Sequence, residues 1–499
     1  MERTETRVRA HYMDADGAMQ TLHLSDIGYA AGPEEGYAVY DGALFTRPTW
    51  SRSIDPALDP SRGADTSYSA ITIGEAASGR YDALRDAAWG YDVEVLEGPA
   101  GAPTADFSVV MTGITERCDV GWRDVDLILR DRLQALRDRP LTTATLAGTA
   151  TAGGLAPEGG PSLAGRPVPV GYGVAEAVSP VEGNIHDHIY RVGPYDTLTG
   201  AADMGAPLTV GAMYPDWAAL LAATLAPGAV AGCPTEGLIR LYGPAAGALV
   251  VSLRHQSDCT LPALVRAILE GAGGVAPAGI LPSVDALPGW EAGWWTGATD
   301  ATVGQVIDGL MSGVGYWHDD ALGRIAAWRP TPPELATPTA VLTTDDLHGA
   351  PELVATGLEV AGGRIEIEYR RAWTTLTEDQ LVDADTPERI AWRDLVTRDY
   401  RLNAADLSAV QARWPEYRTA ARTTALASAT DAATLRGDLV PLFERPRRAW
   451  RLGVTRDAAR ACDLGTCVDL SAIPRLGLSG AWVVGVRRDR SQPRITVWG

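Results

Sequence analysis

His186 and His188 stand two residues apart in NIHDHIY, with Asp187 between them. On a β-strand both imidazoles would face one side and could share a metal ion. A third ligand would have to come from a distant segment, and paired histidines without a metal are the commoner state. Cys462 and Cys467 stand five apart in CDLGTC, and Cys118, Cys233 and Cys259 complete an odd set of five. The odd number and wide spacing point to isolated thiols rather than a disulfide scaffold or a metal pair. Glu378, Asp379, Asp383, Asp385 and Glu388 crowd one predicted loop. Paired carboxylates about 5 to 9.5 Å apart can hydrolyse a glycoside. In a chain of net charge −20 such a loop is more often a solvated surface. The run WEAGWW at 290–295 carries three tryptophans. Exposed, Trp294 and Trp295 could stack on sugar rings. Buried in a core or an interface they would only pack, which is the commoner use.

Stricter catalytic patterns do not occur. There is no Gly-x-Ser-x-Gly elbow and no HExxH pair, and a phosphate loop ending in Gly-Lys is excluded because the chain has no Lys at all. GYGVAEAVSP (171–180) and GAGG (271–274) are Gly-rich, but neither sits between a strand and a helix as a nucleotide site requires. No residue is therefore assigned a catalytic, cofactor-binding or metal-binding role, and no cofactor is expected.

The elements that would position these residues read as mainly β with α+β insertions, in several domains. A chain of 499 residues is too long for one core and suggests about three or four domains. With 54 Gly and 33 Pro spread along it, turns are frequent, which suits β-rich units better than a helical bundle. No window of about twenty residues is apolar enough for a membrane helix. The opening MERTETRVRAHYMDADG is charged from the start and lacks an apolar signal region. The expectation is a chain made and kept in the cytoplasm until assembly, with no stable membrane insertion. Charge is uneven: residues 440–499 hold eleven Arg against five acids, net +6, which leaves −26 for residues 1–439. So acidic a body disfavours a nonspecific grip on nucleic acid.

Residues 1–140 read as short strands. VYDGALF (39–45) puts Asp-Gly between β formers, a hairpin signal. Ser69, Ile71 and Ile73 belong to a short strand. DVEVLE (92–97) alternates, FSVVMTGI (107–114) is an apolar strand ending at Gly113, and VDLILRDR (125–132) places Val125, Leu127 and Leu129 on one face. Residues 141–165 look like an extended arm, followed by a turn-rich crossing at 163–173. Strands resume at HIYRV (188–192), a helix is expected over 216–225, and GLIRLYG with ALVVSLR (237–254) reads as a hairpin joined by GPAAG. Thr260 can cap a helix carrying Leu264, Val265, Ile268 and Leu269. A second helix begins near Thr299 or Asp300 and carries Val303, Val306, Ile307, Leu310 and Met311. A hairpin follows, with Tyr316 and Trp317 before its turn and Ile325 and Trp328 after it. RPTPPELATPT (329–339) reads as a linker. Beyond it, RIEIEYRRAW alternates, 404–440 is Ala-rich and mostly helical, RAWRLGVT is a strand, and WVVGVRRD pairs with RITVWG across DRSQP. The expected division is 1–140, 141–259, 260–335 and 336–499.

Three groups of segments carry a family resemblance. YDGALFTRPTWSRSI, GYDVEVLEGPAG, FSVVMTGITE and VDLILRDRLQALRDRPL resemble the opening of a family of phage and prophage tail proteins. LAGRPVPVGYG is similar to the segment that follows there. FERPRRAWRLGVT, DLGTCVDL, RLGLSGAWVVGVRRD and RITVWG resemble the closing domain of central tail hub, or baseplate hub, proteins of long-tailed siphophages and related prophages. Thr466 stands where Asp is usual, with Asp469 nearby. These pieces cover most of the chain except roughly 195–290, in consistent order.

The resemblance implies a structural virion protein at the tail tip, assembled in the host bacterial cytoplasm, and not an enzyme. It implies a homotrimer whose 1–140 unit is a tube-like barrel, whose 141–259 unit is a second β-rich domain with an extended arm, whose 260–335 unit is a small α+β module, and whose 336–499 unit is a hub domain with a helix and a closing β-barrel. Six barrels from three chains would match a sixfold tail tube or distal tail ring, and the other end would carry a threefold spike or fibre. Partners would be the distal tail protein, the tape measure protein and a tail fibre or spike protein. Phage DNA would pass through the exit channel without specific binding. Arg447, Arg448 and Arg451 would then face an acidic neighbour, or else pair with acids of their own chain. The competing functions are a glycan-binding tip protein with WEAGWW as platform and a tail-associated enzyme that degrades peptidoglycan or capsule.

Overall fold

The computed structural model describes residues 4–32, 38–46, 48–55, 64–74, 78–151, 157–355, 359–383, 385–489 and 492–499. It is mainly β with α+β insertions.

The first sheet has seven strands in the spatial order Met19–Ser25, Thr4–Met13, Asp92–Pro99, Ser108–Val120, Val125–Arg130, Ile71–Ile73, Leu44–Thr46. Its alternation is the expected one: Val125, Leu127 and Leu129 are buried while Asp126, Ile128 and Arg130 are half-buried. Two details differ from the sequence reading. The strand expected to stop at Gly113 runs on to Val120, because Val125–Arg130 takes over as partner where Asp92–Pro99 leaves off. The Asp41-Gly42 turn makes no hairpin. Val39–Tyr40 pairs with Tyr29–Ala30, and Leu44–Thr46 pairs with Ile71–Ile73. The backbone at Asp41 is drawn instead onto His23 and Ser25, by hydrogen bonds of 3.0 and 2.6 Å, and tertiary pairing overrides the turn signal.

The second β unit is two five-stranded sheets. One contains Gly171–Val178, Thr197–Asp203 and Leu249–Arg254; the other contains Ile189–Arg191, Ala229–Cys233 and Leu238–Leu241. They share a core that includes Ala175, Tyr190, Val192, Ile239, Val251 and Leu253. GLIRLYG and ALVVSLR therefore lie in opposite sheets and do not form a hairpin. Each buries its apolar side against this shared core, which outweighs pairing across GPAAG. The Gly-rich stretch at 171–180 serves a close crossing. Gly173 has φ 62°, and a Cβ on Gly293, its register partner, would collide with the Val174 carbonyl. The helix Trp217–Ala222 is capped by Asp216, whose carboxylate accepts from Ala219 N at 2.8 Å.

Next come the helices Leu261–Glu270 and Val303–Met311 and the hairpin Tyr316–Asp319 with Ile325–Trp328. The second helix starts later than Thr299 or Asp300, since Thr302 and Gln305 form a reciprocal capping box there. The 329–339 stretch is no free linker: Thr331 O accepts from Trp482 Nε1 at 2.6 Å, and the Pro333 carbonyl lies against Gly480.

After it, Gly362–Tyr369 is the centre of a three-stranded sheet, flanked by Arg401–Asp406 and Arg418–Thr423. The Ala-rich 404–440 stretch is thus not mostly helical up to residue 428. Its short helix Ser408–Arg413 and the longer Ala429–Phe443 bracket the strand Arg418–Thr423, because both edges of RIEIEY capture extended chain. The closing sheet includes Ala449–Gly453, Cys467–Leu470, Leu478–Arg488 and Arg494–Trp498. Val484, Val486, Ile495 and Val497 are all buried in it, as expected, but Val483 is buried too, because the strand shifts register between Val483 and Gly485 and does not alternate there; part of the DRSQP turn lies outside the described residues. One buried apolar cluster runs from Val8 and Val95 of the first sheet, through Leu264, Val306 and Trp317, to Ile365, Leu452 and Val497.

Candidate functional site

The residues singled out for chemistry are held apart. His186 belongs to the single 3-10 turn Ile185–Asp187, and His188 follows in the left-handed region at φ 57°. The strand geometry that would have aligned the two imidazoles is not formed, because Asn184 caps the turn through its side chain on His186 N at 3.0 Å. Among the described residues no group of three or more His, Cys, Asp or Glu side chains is placed to hold a metal ion. All five cysteines are free thiols. Burial pushes the Cys462 thiol up to about 11, which makes it a poor nucleophile.

Two members of the acidic cluster are paired with arginines. Glu378 pairs with Arg393, and Asp385 pairs with Arg389 at 2.8 Å. A hydrogen bond from the Thr377 side chain holds Asp379 below the ordinary carboxylate range. A glycosidase acid needs the opposite shift. The tryptophans are engaged too. Trp290 is buried; Trp294 stands edge-on to Trp373 with ring centroids 5.1 Å apart; Trp295 donates to Val192 O at 3.3 Å. Arg447 is buried and bonds Glu334 at 2.9 and 3.0 Å, with Pro441 O accepting at 2.8 Å. It does not face a neighbour, because its own chain supplies the acid. Arg451 lies 3.6 Å from Glu352, and Arg448 is exposed.

The feature that unites the chain lies elsewhere. Trp50–Ile54 and Ala64–Tyr68 form a hairpin that leaves the first sheet and adds to the closing sheet. Gly485 pairs with Ser53, Val486 with Arg52, Arg487 with Ser51 and Arg488 with Trp50. Trp50, Arg52 and Ile54 point inward and are buried. Arg52 Nη2 donates to Asp463 Oδ1 at 2.6 Å and Nη1 to the Asp319 carbonyl at 2.5 Å. Two guanidinium groups stand over the Trp50 ring, Arg52 at 4.9 Å and Arg488 at 5.3 Å from its centre. Arg488 donates to Cys462 O at 3.2 Å. A second bridge, Arg460 to Glu97 at 2.6 Å, ties the helix Arg456–Ala461, which follows the strand Ala449–Gly453, to Asp92–Pro99. Sequence reasoning missed this joint. The available signal was Arg52 in apolar register within TWSRSI, flanked two residues away by Trp50 and Ile54.

The arrangement consists of sheet ladders, ion pairs and closely packed crossings. A scan against protein-family models finds no match, and a search of curated proteins finds none either. Among solved structures, a 43 kDa tail protein of prophage MuSo2 from Shewanella oneidensis is similar over 99% of this chain and 97% of its own, at 10% identity and a TM-score of 0.40. A tail protein from Neisseria meningitidis MC58 is similar over 93% of each chain, at 11% identity and a TM-score of 0.37. A chain of the p2 virion baseplate in its activated conformation aligns over 99% of this chain and 98% of its own, at 7% identity and a TM-score of 0.22. Likeness at this level decides no function, which has to be argued from the chain's own residues.

Proposed function

We propose that this chain is a structural protein of a phage tail, and that it acts at the tail tip as a trimeric hub without catalysis. One observation carries the reading: the opening and closing segments that resemble tail and hub proteins lie largely on strands of the first and closing sheets, and one hairpin leaves the first unit to join the closing sheet. YDGALFTRPTWSRSI supplies the joining strand Trp50–Ile54, and RLGLSGAWVVGVRRD supplies its partner Leu478–Arg488. A connection made by backbone hydrogen bonds and a buried arginine resists separation of the two sheets, which a protein transmitting force along a tail requires. On this reading the 1–140, 141–259, 260–335 and 336–499 segments are the working units. The partners are two further copies, the distal tail protein, the tape measure protein and a fibre or spike. Phage DNA passes without specific contact, and the location is the virion tail tip.

Complementation tests the proposal. A phage lacking the gene should make tails without tips by electron microscopy, and the supplied chain should restore them. Light scattering of the purified chain, alone or with its ring partner, should give a three-chain mass. A rigid monomer that never enters tails would overturn the hub role. Clearing of peptidoglycan or capsule in a zymogram that persists through purification would replace it with an enzymatic one.

A further inference from the structure

The seat of the Trp50–Tyr68 hairpin holds a buried carboxylate with an oxygen that no hydrogen bond satisfies. Asp319 ends the strand Tyr316–Asp319, and its residue is 2% exposed. Its carboxylate Oδ1 is buried with no hydrogen-bond partner; Arg52 Nε, Thr66 Oγ1 and Thr112 Oγ1 are in the same condition. These atoms belong to elements that meet here. Arg52 and Thr66 are opposed across the hairpin, and Thr112 N donates to Ala321 O just beyond Asp319. Arg52 does not reach the Asp319 carboxylate in a hydrogen bond: one nitrogen holds the Asp319 backbone carbonyl and another holds Asp463.

The charged and titratable groups facing Asp319 come from every element packed on it. The hairpin brings Arg52 and Tyr68. The start of the helix Arg132–Arg137 brings its cap Asp131 and Arg132, the latter paired with Asp92. The loop after the helix Arg456–Ala461 brings Asp463. The strand's own neighbours are His318, whose Nδ1 lies 2.9 Å from the Asp319 carbonyl, and Asp320, which is paired with Arg324 at 2.6 Å. Three carboxylates, Asp131, Asp319 and Asp463, thus share the seat with the buried guanidinium of Arg52 and, on the Asp463 side, the half-buried one of Arg488 from the strand Leu478–Arg488.

We infer that this seat is a proton-operated latch: with Asp319 protonated the hairpin stays clamped between the first and closing sheets, and with Asp319 ionised it loosens from Leu478–Arg488. A protonated carboxyl is neutral and can donate to a neighbouring oxygen. An ionised one is a buried charge beside two others. Burial pushes Asp319 up to about 7, against the pull of Arg52 and with the support of Asp131 and Asp463. The sign follows. The folded seat binds a proton that the unfolded chain releases near 3.8, so clamping is strongest at acid pH, weakens as pH rises toward about 7, and stays weak above it. One proton limits the slope to about tenfold per pH unit. His318 has the opposite sense: burial disfavours its charged form, so it would loosen the seat on acidification.

The inference rests on this geometry and not on the tail reading, so each can fail alone. Hydrogen exchange by mass spectrometry on the full chain, corrected for the intrinsic rate at each pH, would follow amides of 50–54 and 64–68 between pH 5 and 8. Opening of the wild-type hairpin should increase with pH by ten- to a hundredfold. In Asp319→Asn it should be low and flat, while the strand Asp92–Pro99 stays protected in both. Should Asp319→Asn fold poorly by circular dichroism, Asp319→Ser removes the same titration with a smaller side chain. A pH-independent wild type, full pH dependence surviving in the folded variant, or loosening on acidification would each overturn the latch, the last in favour of His318.

Discussion

Arg52 lies directly opposite Val486 in the ladder that joins the Trp50–Ile54 strand to Leu478–Arg488. An arginine and a valine as cross-strand partners is an uneven match. It works because the guanidinium bonds Asp463 and the Asp319 carbonyl and lies 4.9 Å from the centre of the Trp50 ring. Strands from near residue 50 are thereby built into the same sheet as the last strand, Arg494–Trp498.

Removing that arginine should weaken the joint more than a surface ion pair would. Arg52→Ala leaves the buried Asp319 carbonyl without this donor and Asp463 without its partner. Breaking a buried pair costs about 3–5 kcal/mol. The Asp463 side chain is one-third exposed, so the lower end or less is expected. Urea unfolding measures it, and a loss under about 0.5 kcal/mol, the range of ordinary surface substitutions, would show that the arginine does not hold the joint.

The last strand should be indispensable. Deleting Arg494–Trp498 strips a central strand that pairs with both Ala449–Gly453 and Leu478–Arg488. It exposes the apolar side chains of Leu452 and Val486 along with two unpaired edges. The truncated chain should partition into the insoluble fraction on expression. Soluble protein that still builds tails would refute the role given to this strand.

Val306 and Leu310 are fully buried one turn apart on the helix Val303–Met311. Val306→Asp or Leu310→Asp would place an unpaired charge in the core and cost several kcal/mol. Limited proteolysis should show cleavage within 260–335 first. If Thr4–Met13 and Asp92–Pro99 lose protection to the same degree, the division at 260 is misplaced.

At the other end of the chain, acid should act through Glu5. Its carboxylate is fully buried on the strand Thr4–Met13 and bonded by Arg7 at 2.8 Å, Ser25 at 2.8 Å and Gly101 N at 2.8 Å. Burial raises its pKa, but these hydrogen bonds outweigh burial and hold it below 4.5. A depressed carboxylate contributes stability that is present above 4.5 and lost as pH falls through the folded value. Thermal melting from pH 6 to pH 3 should therefore show a steeper loss in the wild type than in Glu5→Gln. Parallel curves would assign the acid sensitivity to other groups.

Local pattern was enough for elements whose identity depends on their own side chains. The alternation of VDLILR and RITVW, and the helical stripe of Val303, Val306, Ile307 and Leu310, are properties of a few consecutive residues, because period 2 and period 3.6 select which side chains share a face. The absence of a serine elbow, a phosphate loop and HExxH was equally a matter of sequence. Tertiary structure alone decided the partners. Asp41-Gly42 became a crossing, GLIRLYG and ALVVSLR went to opposite sheets, and Arg418–Thr423 became a strand despite its alanines, because a strand's hydrogen bonds are satisfied by whichever edge the fold presents. The same holds for the joint at Arg52. Its seat is assembled from residues near 52, 68, 131, 319 and 463, and no local spacing encodes the burial that gathers their charges.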